Sequence, residues 1–448
     1  MKMLITTKKF FFSIILLSSF ILVNGQNNNV QLTLQQAHDL ALQQNKSIQA
    51  ASMDKIIAQK TKWETITNYF PKASASAKLL DNLKLQTVLL PAVMIGGAPG
   101  EYIPVQFGME FQTSWSIEVQ QLIFSLPLII GIQLSNLGAE MAELGYLNTE
   151  REVVSSVNSV YTSALVLKHN LNILDSNIVN LQNVRQQTQA MYEVGVLQST
   201  DVDQIDLTIM NIENTKKALE RSLELSYNVL RFQLGLDTNV VFELTTDIND
   251  ILNEGEINNL ILTPVDIYKN IDYQFVEKQR DMALLSLRKE KSDFAPTIAG
   301  FYTYSEAGQG NKLNDLRWFP ASIAGLTISL PLINGGQNGV QVSKAKVELQ
   351  KSNLTLDMVN EQLKIQEKQL KYNLSNAYEN YLTQKKNIEV SNRVYKNIEM
   401  RYLQGVASSL ELTQANTNYL TAQSNYLSSV MQLLNAKYEL EKLLYNQK

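Results

Sequence analysis

Cysteine is absent from the 448 residues, which excludes thiol catalysis, thiolate metal sites, disulfides and a lipid anchor on an N-terminal cysteine. Histidine is nearly absent. His38 and His169 lie far apart on helix-like stretches. A metal site needs clustered ligands, so both read as polar side chains on solvated helix faces. No Ser-His-Asp arrangement can be built from so few histidines, and the carboxylates are scattered along helix faces instead of gathered in a pocket. The chain therefore does not read as an enzyme, and no cofactor or metal is expected. A basic excess is missing too. Lys and Arg number 39 against 43 Asp and Glu, a net charge of −4, which argues against nucleic acid as a partner.

Long apolar runs are confined to the N-terminus. Lys2, Lys8 and Lys9 precede "FFFSIILLSSFILV" at 10–23, and "VNG" stands before Gln26. The run is too short for a membrane helix and has the flanks of a signal peptide, placed at 1–25. Its removal takes away three lysines and no acid, which moves the net charge from −4 to −7. No later segment has 18 consecutive apolar residues, so no helix of the mature chain is expected to span a bilayer.

Proline and glycine are missing from two long tracts. The nine prolines stand at 71, 91, 99, 104, 127, 264, 296, 320 and 331, and beyond Val340 the only glycine is Gly405. Proline costs about 3 kcal/mol and glycine about 1 kcal/mol inside a helix. A tract cleared of both, with one glycine in its middle, reads as two helices joined by a turn: about 340–403, roughly 95 Å long at 1.5 Å per residue, and about 408–445. Leu412, Ala415, Tyr419, Ala422, Tyr426, Ser429, Leu433, Ala436, Leu440 and Leu443 step by three and four, a heptad seam. Leu420, Leu427, Val430 and Leu434 form a second stripe beside it. Two stripes allow a neighbour on each side, as a ring of helices requires, although an ordinary bundle helix has the same pattern.

What is present twice is the turn itself. "MYEVGVLQSTDVDQIDL" (191–207) and "MRYLQGVASSLELTQAN" (400–416) place Tyr192 and Tyr402, and Gly195 and Gly405, 210 residues apart. "GIQLSN" (131–136) matches "GVQVSK" (339–344), and "NKSIQ" (45–49) matches "NIDYQ" (270–274), each Asn lying 26 residues before a proline. This is a tandem repeat: residues 26–236 with a hairpin at about 132–236 and its tip at 194–196, and residues 266–448 with a hairpin at about 340–446 and its tip at 404–406. Residues 237–265 link the two. The segment between Pro71 and Gly131 is about 17 residues longer than its counterpart, as a surface loop tolerates. That loop is expected at 84–106.

Within the variable segments (72–124 and 297–333) the period changes. "FGMEFQTSWSIEVQ" (107–120) alternates strictly: Phe107, Met109, Phe111, Thr113, Trp115, Ile117 and Val119 against Gly108, Glu110, Gln112, Ser114, Ser116, Glu118 and Gln120. A transmembrane β-strand needs one face for lipid and one for a watery lumen. "KASASAK" (72–78), "TIAGFYTYS" (297–305) and "WFPASIAGLTISL" (318–330) are candidate partners, with Pro320 limiting where the last can pair. Tyr302, Tyr304, Trp318 and Phe319 suit an interfacial belt. Four strands cannot close a barrel, and an open edge cannot sit in lipid, so several copies must share one barrel. Phe107, Phe111, Trp115 and Ile117 are expected to face lipid.

The order and spacing of these features, with "LTLQQAHDLALQQNKSI" (32–48), "FP" (70–71) and "LPLINGG" (330–336), resemble the outer membrane efflux protein family, whose best-known member is TolC. The resemblance implies an α+β membrane protein. Three subunits would build a twelve-stranded β-barrel, four strands each, continued by a long periplasmic α-helical barrel in the periplasm of a Gram-negative bacterium. The helices before each hairpin (33–70 and 266–295) would stack end to end with the returning helices (198–236 and 408–445), and 237–265 would lie in a girdle whose C-terminal part is reduced. Implied partners are a periplasmic adaptor and an inner membrane transporter, for which this chain would be a passive exit duct. The tips, Val194, Gly195, Val196, Gln404, Gly405 and Val406, would dock the adaptor. The aperture would fall on Thr200, Asp201, Tyr402, Glu411 and Gln414. The family has aspartates where this chain has Glu411 and Gln414, and a basic residue where it has Ala407, so hydrogen bonds from Tyr402, Thr200 and Asp201 are the expected latch. An exported coiled-coil stalk without a pore also accounts for the heptads, but not for the amphipathic strands at matched positions.

Overall fold

A computed structural model describes residues 30–445. The signal peptide expected at 1–25 lies outside the described residues. Two helices dominate: α3 (Leu126–Glu193) with 68 residues and α8 (Gln337–Leu403) with 67. Each spans roughly 100 Å at 1.5 Å per residue. α3 begins six residues earlier than the glycine-based boundary at Ile132. Pro127 sits in its first turn, where a missing N–H costs nothing. Each long helix reverses into a shorter one, α4 (Ser199–Leu234) and α9 (Ser409–Leu443).

The helix expected over 33–70 is divided into α1 (Leu34–Gln44) and α2 (Lys46–Thr67). Asn45 divides it, with extended backbone at φ −60° and ψ 129°. Its Oδ1 accepts from Ser47 N and Ile48 N at the start of α2, and its Nδ2 donates to Gln233 O near the end of α4. Asn270 repeats the device: it accepts from Asp272 N and Tyr273 N of α7 (Ile271–Ser292) and donates to Leu443 O of α9. One amide thus joins the tail of each returning helix to the head of the next. Gly235, at φ 68°, closes the first joint so tightly that a Cβ there would lie 2.2 Å from Gln44 O. Stacked this way, the 22-residue α2 and 36-residue α4, and the 22-residue α7 and 35-residue α9, run alongside the long helices.

On the strand side of these joints the packing order is α2, α3, α7, α8. The sheet has the same order: β2 (Lys72–Asp81), β5 (Phe111–Phe124), β7 (Thr297–Gly310) and β8 (Arg317–Ser329), all antiparallel. Pro320 lies in the edge strand β8, where its missing donor is tolerated. On the tip side α3 packs on α4 and α9, and α8 packs on α9.

The main core surrounds the joints. Residues 237–265 contribute β6 (Phe242–Leu244), α5 (Ile248–Ile251) and α6 (Glu254–Leu262). β6 pairs in parallel with β1 (Val30–Leu32). Leu32, Phe242, Leu244, Ile257 and Leu260 are buried against Tyr161, Leu165, Leu374, Tyr381, Leu434 and Tyr438 of the long hairpins. The Tyr161 hydroxyl donates to Leu32 O at 2.6 Å, which ties α3 to this girdle. His38, expected on a solvated face, is instead half-buried, with Nε2 2.6 Å from Asn158 Oδ1 on α3.

Removing the side chain of Asn270, which is 2% exposed, loses a helix cap and orphans the Leu443 carbonyl. Capping alone contributes about 0.5–2 kcal/mol, so Asn270→Ala should lower stability by at least that amount in detergent unfolding. Asn270→Asp keeps the cap but not the donor and should fall between the two.

Candidate channel wall and tip site

The pleat assigns every strand residue to one of two faces. Ala73, Ala75, Ala77 and Leu79 of β2 share a face with Phe111, Trp115, Ile117 and Val119 of β5, Tyr302 and Tyr304 of β7, and Trp318, Ala324, Leu326 and Ile328 of β8. The opposite face carries Ser74, Ser76, Lys78, Gln112, Ser114, Ser116, Glu118, Thr303 and Ser305, and with them the apolar Leu80, Phe301, Ile323 and Phe319, which is thereby separated from Trp318. The sequence alternation at 111–120 is therefore the division of this sheet into an apolar and a polar side. Two acids break the apolar side: Asp81, opposite Phe111 at the end of β2, and Glu306, toward the end of β7 away from the helices. Trp115 Nε1 donates to its Oε2 at 3.3 Å and the Tyr304 hydroxyl to its Oε1 at 2.7 Å, the company an acid finds in an interfacial aromatic belt.

Phe107 does not belong to that face. The alternation over 107–120 is interrupted at Gly108, whose φ of 116° ends one strand before β5 begins. Phe107 closes β4 (Tyr102–Phe107), which pairs with β3 (Gln86–Pro91) as a separate hairpin. Glu110 also lies outside the strands, its carbonyl accepting from Asn82 N at 2.7 Å. Alternation alone could not reveal the break, because Gly108 falls on the polar phase of the pattern.

At the far end the two tips have the same backbone. Gly195 N bonds Tyr192 O at 2.9 Å and Val196 N bonds Met191 O at 2.9 Å, while Gly405 N bonds Tyr402 O and Val406 N bonds Arg401 O, both at 2.9 Å. This is a Schellman ending with glycine in the left-handed region, at φ 85° and 73°. Val194, Val196 and Val406 are largely exposed beside it, and no side chain covers the position of a Cβ on either glycine.

Past the turns, Asp201 and Glu411 are repeat equivalents. Each occupies the third position of its helix and accepts from the backbone N–H of the capping residue: Asp201 from Gln198 at 3.0 Å and Glu411 from Ser408 at 2.8 Å. The Glu411 carboxyl is held below its ordinary value by the Ser408 N–H first, then the Ser408 hydroxyl, with a smaller contribution from Arg401. Thr200 bonds Gln198 Oε1 at 3.5 Å and Gln414 bonds Asn418 at 3.0 Å, both exposed.

The expected latch is arranged differently. The Tyr402 hydroxyl does not reach Asp201; it meets Thr188 Oγ1 at 2.7 Å. Leu374, Tyr381, Tyr395 and Tyr402 fall on one seven-residue series and are buried, so Tyr402 is the last rung of this buried α8 series and is 2% exposed. Burial raises its pKa, partly offset by Thr188. Asp201 is bonded instead by the Ser409 hydroxyl, whose oxygen also lies 3.2 Å from Gln204 Oε1. Farther up, Asn177 donates to Asn416 at 3.0 Å, and Asn180 donates to Glu399 at 2.6 Å and Tyr395 at 2.9 Å. The sequence reading missed Thr188, Ser409 and these asparagines. The 210-residue offset pairs Ser199 with Ser409, but nothing in it says which of the two is covered.

Two buried cations elsewhere are already paired. The 530 Å³ cleft beside His38 is lined by Arg151 and Lys437. Asp272 holds Arg151 through two bonds of 2.9 Å, and Glu256 holds Lys437 at 2.9 Å. Among the described residues no cluster of His, Asp and Glu could hold a metal, and no helix is long and apolar enough to cross a membrane.

Residues 270–444 match the sequence profile of the family described as outer membrane efflux protein. The described residues have the TolC-like fold. It is similar to VceC, an outer membrane protein of Vibrio cholerae, with 14% identity, a TM-score of 0.70, and coverage of 92% of this chain and 96% of that one. It is similar to the CmeC outer membrane channel of Campylobacter jejuni, with 15% identity, a TM-score of 0.68, and coverage of 92% and 85%. The MtrE outer membrane channel of Neisseria gonorrhoeae in its open state gives 15% identity, a TM-score of 0.68, and coverage of 92% and 88%. Comparison with curated proteins gives no match.

Glu411 has a depressed carboxyl pKa, so its bond to Ser408 is fully present above the ordinary carboxylate value of 4.5 and is lost as pH falls through the lower, folded value. The protection factor of the Ser408 amide should therefore drop below pH 4.5 in hydrogen exchange. Glu411→Gln, which can accept the same bond without titrating, should hold it level. Equal pH dependence in both proteins would remove the carboxylate from this cap.

Proposed function

We propose that three copies of this chain form a passive exit duct across the outer membrane of a Gram-negative bacterium, with the helices in the periplasm. One observation carries the reading: the chain is an open sector with matching edges. β2 and β8 are the unpaired sheet edges, and α2 and α8 the outer helices of the layer beneath, in the same order. Both outer helices expose apolar stripes, Met53, Ile56, Ile57 and Trp63 on α2 against Val340, Val347, Leu354, Met358, Ile365 and Tyr372 on α8. Joining β8 and α8 of one copy to β2 and α2 of the next covers both at once. Three copies give a twelve-stranded barrel, in which no edge meets lipid.

In this assembly the polar sheet face lines the lumen and the apolar face, with Phe111, Trp115 and Ile117, meets lipid. The exposed valines beside Gly195 and Gly405 lie at the distal end, where a periplasmic adaptor would dock and couple the duct to an inner membrane transporter. Thr200, Asp201, Glu411 and Gln414 lie just past the turns, where six hairpins converge and the lumen narrows. A carboxylate ring there attracts cations. Tyr402, buried against Thr188, acts behind this ring by fixing α8 on α3. A stalk without a pore has no use for a sheet with one apolar and one polar face.

Ile117 and Ser116 are neighbours on opposite faces. Arginine at a lipid-facing midplane position costs about 2–4 kcal/mol, so Ile117→Arg should deplete the protein from outer membranes while Ser116→Arg is retained. Purified wild type should conduct in planar bilayers as a trimer, and Glu411→Gln should reduce its preference for cations. Equal membrane levels for both arginine variants, together with absent conductance, would sink the duct.

A further inference from the structure

Between Asn82 and Glu110 only Lys84 and Glu101 are charged. This segment, expected to be an outside loop, folds as the β3–β4 hairpin with a 3-10 turn at Ala92–Ile95. The register puts Phe107, Val88, Val105, Leu90 and Ile103 on one side and Leu89, Pro104, Pro91 and Tyr102 on the other. Leu83 is 88% exposed and Met94, at the turn, 73%. A lone two-stranded hairpin is marginal in water, and one that is apolar on both sides needs a cover.

We propose that the cover is the same hairpin of the neighbouring copies, so that three hairpins meet over the mouth of the barrel as an apolar cap. This rests on the trimeric duct proposed above. Three features carry it. The hairpin prolongs β2, the edge strand at the junction between copies, so it starts where a neighbour stands. Gly108, at φ 116° with Leu85 against it, breaks the line of β5 and frees the hairpin to leave the barrel wall. Its reach also fits. Twelve strands about 4.8 Å apart and tilted about 40° close at a radius of roughly 12 Å, whereas a six-residue strand extends about 20 Å. Inclined hairpins therefore converge on the threefold axis at their tips, with the Val93–Met94–Ile95 turns in contact. The β7–β8 turn, at 311–316, is too short to do this.

The absence of cysteine permits a direct test. Met94→Cys and, as control, Leu313→Cys in the β7–β8 turn are oxidised in the purified full-length protein, and the mass of the assembly is measured in parallel. A disulfide needs Cα atoms within about 7 Å. The expected result is a trimer in which Met94→Cys links copies into dimers and Leu313→Cys does not. A trimer with no Met94→Cys link overturns the cap, as does quenching of Tyr102→Trp fluorescence by brominated lipid in a background where Trp63, Trp115 and Trp318 are phenylalanine, which would place the hairpin in the membrane. Absence of a trimer defeats the duct assembly itself and is read from the mass alone.

Discussion

Closure of the sheet is the constraint on which the other features depend. Each edge strand carries a row of N–H and C=O groups, and lipid offers them no partner. A chain with only β2, β5, β7 and β8 in its sheet must borrow the rest from copies of itself. That requirement sets the order of everything attached to the strands. Each strand runs directly into a helix, so the helical layer inherits the order of the sheet, with α2 and α8 at its edges. The apolar stripes on those two helices follow from the same demand, because helices that border another copy must have something to bury.

The duplicated asparagines solve a different problem. A wall that runs from strands to tips must be continuous, yet only one helix per repeat spans it. The other position is filled by two helices meeting head to tail, where four carbonyls of one and four N–H groups of the other would be orphaned. Asn45 and Asn270 satisfy both sides with a single side chain. The largest core cluster surrounds these joints, which is where a wall made of abutting rods would otherwise bend.

Much of this was legible from spacing. Clearance of Pro and Gly marked the long helices, the 210-residue offset marked the tips, and alternation from Phe111 onward marked the sheet. The failures have a common cause. Asn45 breaks its helix through a bond to Gln233, which is distant in sequence. Gly108 breaks a strand without disturbing its alternation. Tyr402 sits on both the tip motif and the α8 heptad, and the heptad decides where it points. In each case a local pattern admitted two structures, and a tertiary contact chose between them.

The tips show how a duplicated sequence diverges once it is part of one chain. Tyr192 and Tyr402 share a motif, but Tyr402 is 2% exposed against Thr188 and Tyr192 is 43% exposed. The residue 210 positions after Thr188 is Ile398, which has no hydroxyl to offer. Ser409 is buried and bonded to Asp201, while its equivalent Ser199 is exposed. Asn177 reaches Asn416, yet the corresponding Asn387 is exposed. All these links cross from the first hairpin to the second within one chain, whereas Asn387 on α8 meets only Gln384 of its own helix. A buried polar group is costly to leave unpaired, and even here Asn177 Oδ1 and Asn416 Nδ2 have no partner, so such groups are best placed where both side chains belong to one chain. Polar links therefore accumulate in the junction inside the chain, while the outer helices near the strands carry the apolar stripes, which tolerate the adjustments of assembly.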